Sequence, residues 1–345
     1  MTVQKTFKEL TRVSGKKQYS VVAPPNGRVK NPVFIGMDGG GTNTRAVAID
    51  YDGNQLCEAV GGPANVALLG VDAAFGNIKQ IFDDMACEVN RLEQSVAGIV
   101  LGLAGISKAE SQLSGALLNK LNSLNITADI RLVNDAHIAW YGTAEGKPAI
   151  ALISGTGSSS YGLDVDGNII IKGGMGYLLS DEGSGYYIGL MGIRSAIRAS
   201  LRIGMATALT PRLMQVFSLQ SIEQAPYLIK DHAEIAAFAR YVYEASLAGD
   251  EMSRSIIAQA TDDLARLVEA TWRDGNFGNR EVKVGAFGSC LEKMTTLRSA
   301  LSDRLQAVSR NLILSELIYP PVRAAAEWAR KTYTQTGGAA DASSA

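Results

Sequence analysis

The chain has 345 residues, 46% of them apolar, with 33 Lys and Arg set against 34 Asp and Glu. That length fits two domains or one large one, and the apolar fraction excludes global disorder. A net charge of -1 leaves no basic excess for binding nucleic acid or an anionic membrane surface.

Residues 1–30 carry seven Lys or Arg and one Glu, run into Pro24-Pro25-Asn26-Gly27, and lack the apolar core of a secretory signal. They read as a flexible basic arm. A first strand is predicted over 33–37, a helix over 77–96 and a strand over 98–103. The last lies in the longest apolar stretch, 96–106, which is well short of the ~20 residues that span a bilayer. A short strand over 131–133 delivers Asn134-Asp135 to a helix over 136–144. Long helices are expected over 183–203 and 250–274. In the second of these, Ile256, Ile257, Ala260, Leu264 and Val268 recur at helical spacing and belong to a core. A strand over 281–285 leads into Gly288-Ser289 and a further helix, and the small, polar tail 334–345 reads as disordered.

Cys57, Cys87 and Cys290 are odd in number and far apart, which fits neither a disulfide framework nor a paired metal motif. They point to a reducing, cytoplasmic setting. His137 and His232 are the only histidines, too few for a His-rich metal centre or a Ser-His-Asp triad. With 36 Gly and only 9 Pro, the chain is suited to tight backbone turns around ligands.

An internal repeat is the most informative pattern. Residues 41–54, starting Gly41-Thr42-Asn43 and ending Asp50-Tyr51-Asp52-Gly53-Asn54, align without a gap on 155–168. That second segment starts Gly155-Thr156-Gly157-Ser158 and ends Asp164-Val165-Asp166-Gly167-Asn168. An apolar run precedes each copy, and the closing Asp-Gly is a hairpin signal. The opening turns, with Gly39, Gly40 and Gly41 in one and Gly155 and Gly157 in the other, hold more glycine than a hairpin needs. Such turns present successive amides as an anion-binding nest, so two nests could grip one polyphosphate. No G-x-x-x-x-G-K-[ST] or G-x-S-x-G is present, and the residues after Gly41 favour strand over the helix of a dinucleotide fingerprint.

Three acids stand beside these turns or at strand ends. Asp38 precedes the first nest, and a carboxylate beside phosphates calls for a hard cation between them, which implies Mg²⁺. Asp135 follows a strand and opens a helix, so it is either a general base or only a helix cap. Asp181 lies in a glycine-rich stretch, 173–185, where Asp181 or Ser184 could likewise cap the next helix. Asn65, in Gly61-Gly62-Pro63-Ala64-Asn65, is a turn former or a ligand contact. With so little histidine, a carboxylate is the available base, and Asp135 is favoured.

Taken in order, Asp-Gly-Gly-Gly-Thr, Gly-Pro-Ala-Asn, Asn-Asp-Ala, Ile-Ser-Gly-Thr-Gly-Ser, the 173–185 stretch and Gly-Ser before a late helix resemble the BadF/BadG/BcrA/BcrD ATPase family. Within it the likeness is to N-acetylglucosamine kinases. The resemblance implies an α/β chain of the actin-like ATPase fold. Two ribonuclease-H-like domains, 31–145 and 146–320, would close over ATP, with a C-terminal helix over 321–333 returning to the first. It implies Asp135 as the base for a sugar 6-hydroxyl, and Asn65, Asp135, Gly174 and Asp181 as sugar contacts. It also implies Asp38 at the metal, Gly39 to Asn43 with Gly155 to Ser158 on the ATP phosphates, and Gly288-Ser289 on the adenosine. Met175 stands where animal members have Trp, so preference at the sugar 2-position does not carry over. A homodimer acting on a small sugar, with no nucleic-acid or membrane partner, is implied as well. The alternatives are a glucosamine or N-acetylmuramate kinase, an iron–sulfur ATPase that activates dehydratases or reductases, and a non-catalytic sugar or nucleotide sensor. The cysteines fit no cluster motif, and retention of Asp135 speaks against a sensor.

Overall fold

The computed structural model describes residues 31–91, 95–106, 111–124, 126 and 128–335. The basic arm and positions 336–345 lie outside these, as does the side chain of Cys87. The chain divides into two compact units, one running to Lys147 and resuming at Leu317, the other spanning Pro148–Glu316.

The first unit holds β1 (Pro32–Gly39), β2 (Thr44–Ile49), β3 (Gln55–Gly61), α1 (Val66–Leu69), α2 (Val71–Arg91), β4 (Ser95–Leu103), α3 (Ser111–Asn122), β5 (Asp129–Asn134) and α4 (Asp135–Ala144). The second holds β6 (Ala149–Ser154), β7 (Ser158–Leu163), β8 (Ile169–Gly173), α5 (Gly185–Ser200), α6 (Leu209–Val216), α7 (Ala225–Leu228), α8 (His232–Ala237) and α9 (Ala239–Leu247). It continues with α10 (Glu251–Asp274), β9 (Val282–Phe287), α11 (Ser289–Lys293), α12 (Thr295–Val308) and β10 (Leu312–Ser315); α13 (Pro321–Gln335) belongs to the first unit.

Both units are built on one plan. Their sheets run β3-β2-β1-β4-β5 and β8-β7-β6-β9-β10. In each, the first three strands are antiparallel neighbours and the last two are parallel to the first. This is the mixed α/β architecture expected from the sequence, in duplicate. The Asp-Gly turns match bond for bond. The Asn54 amide donates to Asp50 Oδ1 at 2.8 Å, and the Asn168 amide to Asp164 Oδ1 at 2.8 Å. Gly53 and Gly167 take φ of 90° and 81°, a region open to glycine at little cost. The opening turns differ in length. Gly39 pairs with Thr44 across the first, and Ser154 with Ser158 across the second, so the first is one residue longer.

Alternation along the strands fixes two faces in the first unit. Val33, Ile35 and Met37 of β1 join Ile99, Leu101 and Leu103 of β4 in a core with α2 and α3. The other face, which also carries Phe34 and Val100, has glycines where helices come close. A Cβ at Gly36 would collide with the backbone of α13 at Val322 and Ala326, and one at Gly102 with the Ile138 side chain of α4. Asp38, two residues beyond Gly36, projects on this second face.

Several boundaries move relative to the sequence reading. β1 runs through Asp38 and Gly39 instead of stopping at Met37. α2 begins six residues before 77 and carries Gly76 within it, and Ser95 and Val96 belong to β4 instead of to that helix. The helix expected over 183–203 starts at Gly185, because Gly183 has φ of 79° and Ser184 is its cap. Thr334 and Gln335, assigned to the tail, finish α13.

Candidate functional site

In the first unit, hydrogen bonds from main chain and from one asparagine side chain lace four segments together at the C-terminal ends of β1, β4 and β5. The Ala104 amide donates to Gly39 O at 2.8 Å, and the Ala64 amide to Gly40 O at 3.1 Å. Asn134 Nδ2 donates to Ile106 O at 3.0 Å. Gly105 lies so close to Asn65 that a Cβ would come within 2.5 Å of its Oδ1. The sequence candidates Asp38, Gly39 to Asn43, Asn65 and Asp135 are thus gathered at one edge of one sheet. In the turn itself the Gly40 amide is taken by Asn43 O at 3.0 Å. Among the described residues, no protein acceptor takes the amides of Gly41, Thr42 and Asn43, and all three residues are exposed.

The two acids at this edge are poised differently. Burial, reinforced by the charge of Asp135 and opposed by Arg45, pushes the Asp38 carboxyl up to about 7. Burial also raises Asp135, against a hydrogen bond from the Ala136 amide. The choice between cap and base at Asp135 is resolved in part. The N-cap of α4 is Asn134, whose side chain accepts from the Ala136 amide at 2.9 Å, so capping does not explain the acid that follows. Asn65, by contrast, does cap α1: its Oδ1 accepts from the Leu68 amide at 3.2 Å. Its Nδ2 is the group left to meet a ligand.

The second unit gathers its own candidates around the turn Gly155–Ser158. A cavity of about 310 Å³ is lined by Gly155, Thr156 and Ser289 together with Gly185, Tyr243 and Lys293. Gly288, at φ of 103°, packs so tightly on Ser154 O that a Cβ would approach to 2.5 Å. Gly155 and Thr156, read as part of a phosphate turn, and Ser289, read as part of an adenosine motif, therefore line one cavity. Its far wall is α8, whose Ala233, Ala236 and Ala237 allow close approach; a Cβ at Gly189 of α5 would strike Ile235 O. Small residues at those spacings are the signal that sequence reasoning passed over.

Not every member of the turn faces a ligand. Ser158 donates its hydroxyl to Glu182 O at 2.7 Å, and its amide lies close enough to Asp181 to favour that carboxyl's charged form. Gly155 donates to Gly157 O at 2.9 Å, which leaves the amides of Thr156 and Gly157 without a protein acceptor among the described residues. Gly174, at φ of 69°, donates to Ser158 O at 2.9 Å, and Met175 beside it is exposed. Ser184, not Asp181, caps α5.

The model of the BadF/BadG/BcrA/BcrD ATPase family matches residues 35–329. The chain is 30% identical over 271 residues to the N-acetylmuramic acid/N-acetylglucosamine kinase of Clostridium acetobutylicum, covering 76% of this chain and 87% of that one. It is also 30% identical over 253 residues to the N-acetyl-D-glucosamine kinase of Dictyostelium discoideum, covering 69% and 78%. Among solved structures, a candidate N-acetylglucosamine kinase from Chromobacterium violaceum shares the fold, with a TM-score of 0.69, 23% identity and coverage of 88% and 99%. The chain belongs to the BadF/BadG/BcrA/BcrD ATPase family.

Proposed function

We propose that this family member is an ATP-dependent kinase of amino sugars, moving the γ-phosphate to the 6-hydroxyl of N-acetylglucosamine or a relative such as glucosamine or N-acetylmuramate. The observation that carries the reading is Asp135. It is a partly buried carboxylate at the first position of α4, relieved of capping by Asn134, beside a second acid at the end of β1.

In this reading Asp135 accepts the proton of the sugar hydroxyl as that oxygen bonds to the γ-phosphorus and the bond to the ADP oxygen breaks. Such a base contributes ~10²–10⁴-fold. Asn65 offers its Nδ2 hydrogens to a sugar oxygen, fixing orientation, which matters most when bond-making is loose. The open amides of the two glycine turns suit phosphate oxygens, and the cavity at Ser289 suits the adenosine.

Mg²⁺ fits the acid pair on chemical grounds. It takes one or two carboxylates and completes its shell with waters and substrate phosphates. Two neighbouring carboxyls that resist ionisation when alone are stabilised as anions by a cation. Asp38, with Asp135 beside it, would hold the ion, which supplies charge neutralisation to the phosphates. The proposal extends to a cytoplasmic homodimer: the compartment rests on cysteine content and the dimer on the family resemblance. Among the described residues, no helix is long and apolar enough to cross a membrane.

An activator ATPase built around a shared cluster is disfavoured by the cysteines. Cys290 is buried against the cavity and Cys57 is a half-buried strand residue. A coupled assay of ADP release over a panel of N-acetylglucosamine, glucosamine, N-acetylmuramate and glucose tests the proposal. Release stimulated most by an amino sugar is expected; no stimulation by any sugar overturns it.

A further inference from the structure

The segment 180–185 clasps the second glycine turn from one side. Ser154 Oγ donates to Gly183 O at 2.8 Å, and Ser158 Oγ to Glu182 O at 2.7 Å. The Gly185 amide donates to Gly155 O at 2.8 Å, and the Tyr186 amide to Thr156 O at 3.3 Å. At the centre is Asp181, 7% exposed, whose charged form the nearby Ser158 amide favours against burial. It presses so closely on the turn that a Cβ at Gly157 would come within 2.8 Å of its Oδ2. The clasp is anchored from behind, since Gly183 packs where a Cβ would lie 2.6 Å from Leu264 of α10.

The backbone at Asp181 is itself unusual. Its φ of 65° lies in the left-handed region, which Asp and Asn enter more readily than most residues. Strained backbone persists where surrounding bonds over-determine it; here the Ser184 amide donates to Asp181 O at 3.1 Å, and the bonds from Ser154, Ser158 and Gly185 tie the same segment to the glycine turn.

We propose that Asp181 is a positioning residue for the nucleotide: by filling the space beside Gly157 at the centre of the clasp, it holds the turn in the shape that presents the Thr156 and Gly157 amides to a polyphosphate. A carboxylate accepts at both oxygens, so the same group can hold the turn and receive a sugar hydroxyl. Sugar and nucleotide recognition are then joined through one side chain in the second unit. This rests on the kinase reading above and deepens it, since a group that serves only the sugar leaves the nucleotide unaffected.

The test is ATP binding without any sugar, by calorimetry, on the full chain and on Asp181→Gly and Asp181→Asn. Glycine keeps the left-handed φ at no steric cost while deleting the acceptor. Asparagine keeps φ, size and one acceptor oxygen while removing the charge. We expect Asp181→Gly to weaken ATP at least tenfold and Asp181→Asn to fall between it and the wild type. Amide exchange should quicken at 155–158 and stay unchanged in α10, a pattern that general loosening of the unit does not give. ATP affinity equal to wild type in Asp181→Gly, with only the sugar KM raised, overturns the inference and leaves the kinase reading standing. Failure of the wild-type chain to bind ATP overturns both.

Discussion

Asp38 and Asp135 stand at the ends of β1 and β5, on either side of β4, and the charge of Asp135 adds to burial in holding Asp38 near 7. Asp38 is an acid whose folded value lies above its unfolded one, so the folded state holds its proton longer. Its cost to stability is absent below about pH 4, grows as the unfolded chain ionises, and is complete above about pH 7. In metal-free buffer, Asp38→Asn is expected to raise the melting temperature by little at pH 4 and most at pH 8. The gain is on the order of a few kcal/mol, at about 1.4 kcal/mol per unit. A difference that stays flat across this range contradicts the assignment of burial and Asp135 as its cause.

Asp135→Asn keeps the size of the side chain and removes the proton acceptor. Turnover should fall at least ~10²-fold while ATP affinity stays within a factor of about two, as read by single-turnover kinetics and calorimetry. Because burial raises Asp135, wild-type kcat should decline as pH falls through a value above the ordinary carboxylate range. The variant should lose that limb of the profile.

Asn65 can be split into its two functions. Asp at this position keeps an oxygen for the Leu68 amide but has no hydrogens to donate, whereas Ala loses both. Asn65→Asp should leave the melting temperature near wild type and raise the sugar KM at least tenfold. Asn65→Ala should raise KM similarly and also cost about 1 kcal/mol in urea unfolding, the usual worth of a cap.

How much of this was visible beforehand differs between backbone and side chain. The doubled turn was legible because Asp-x-Asp-Gly-Asn and the Gly-Thr that opens each copy impose the same local hydrogen bonds wherever they occur. The sequence candidates also converge within each unit, since all of them sit at turns or strand ends. Roles that depend on a neighbour remote in sequence were not legible. Asn134 as the cap of α4, Ser158 spending its hydroxyl on Glu182 O, and the alanine wall of α8 against Gly185 and Gly189 all follow from tertiary packing. Nor could periodicity place the start of α2, because Gly76 interrupts the pattern without ending the helix.

Glu327 is 2% exposed on α13, flanked by Arg323 and Arg330, and the two arginines also bind Gly53 O and Tyr51 O of the first Asp-Gly turn. Removing the acid leaves two confined cations without their counter-charge. Glu327→Ala should cost about 3–5 kcal/mol by urea unfolding, whereas Glu327→Gln, which keeps an acceptor, should cost less. Equal losses in the two variants would assign the effect to packing instead of charge.

The return of α13 to the first unit also sets an order of assembly on the ribosome. Gly36 and Gly98 lie bare on their sheet face until residues 321–335 emerge, after the whole of Pro148–Glu316 has been made. At about 5–20 residues per second, that interval is roughly ten to thirty-five seconds. The part of the protein that is translated first is therefore the part that matures last, and during that wait the glycine-lined face of the nascent sheet has only the short α4, packed on Gly102, for cover.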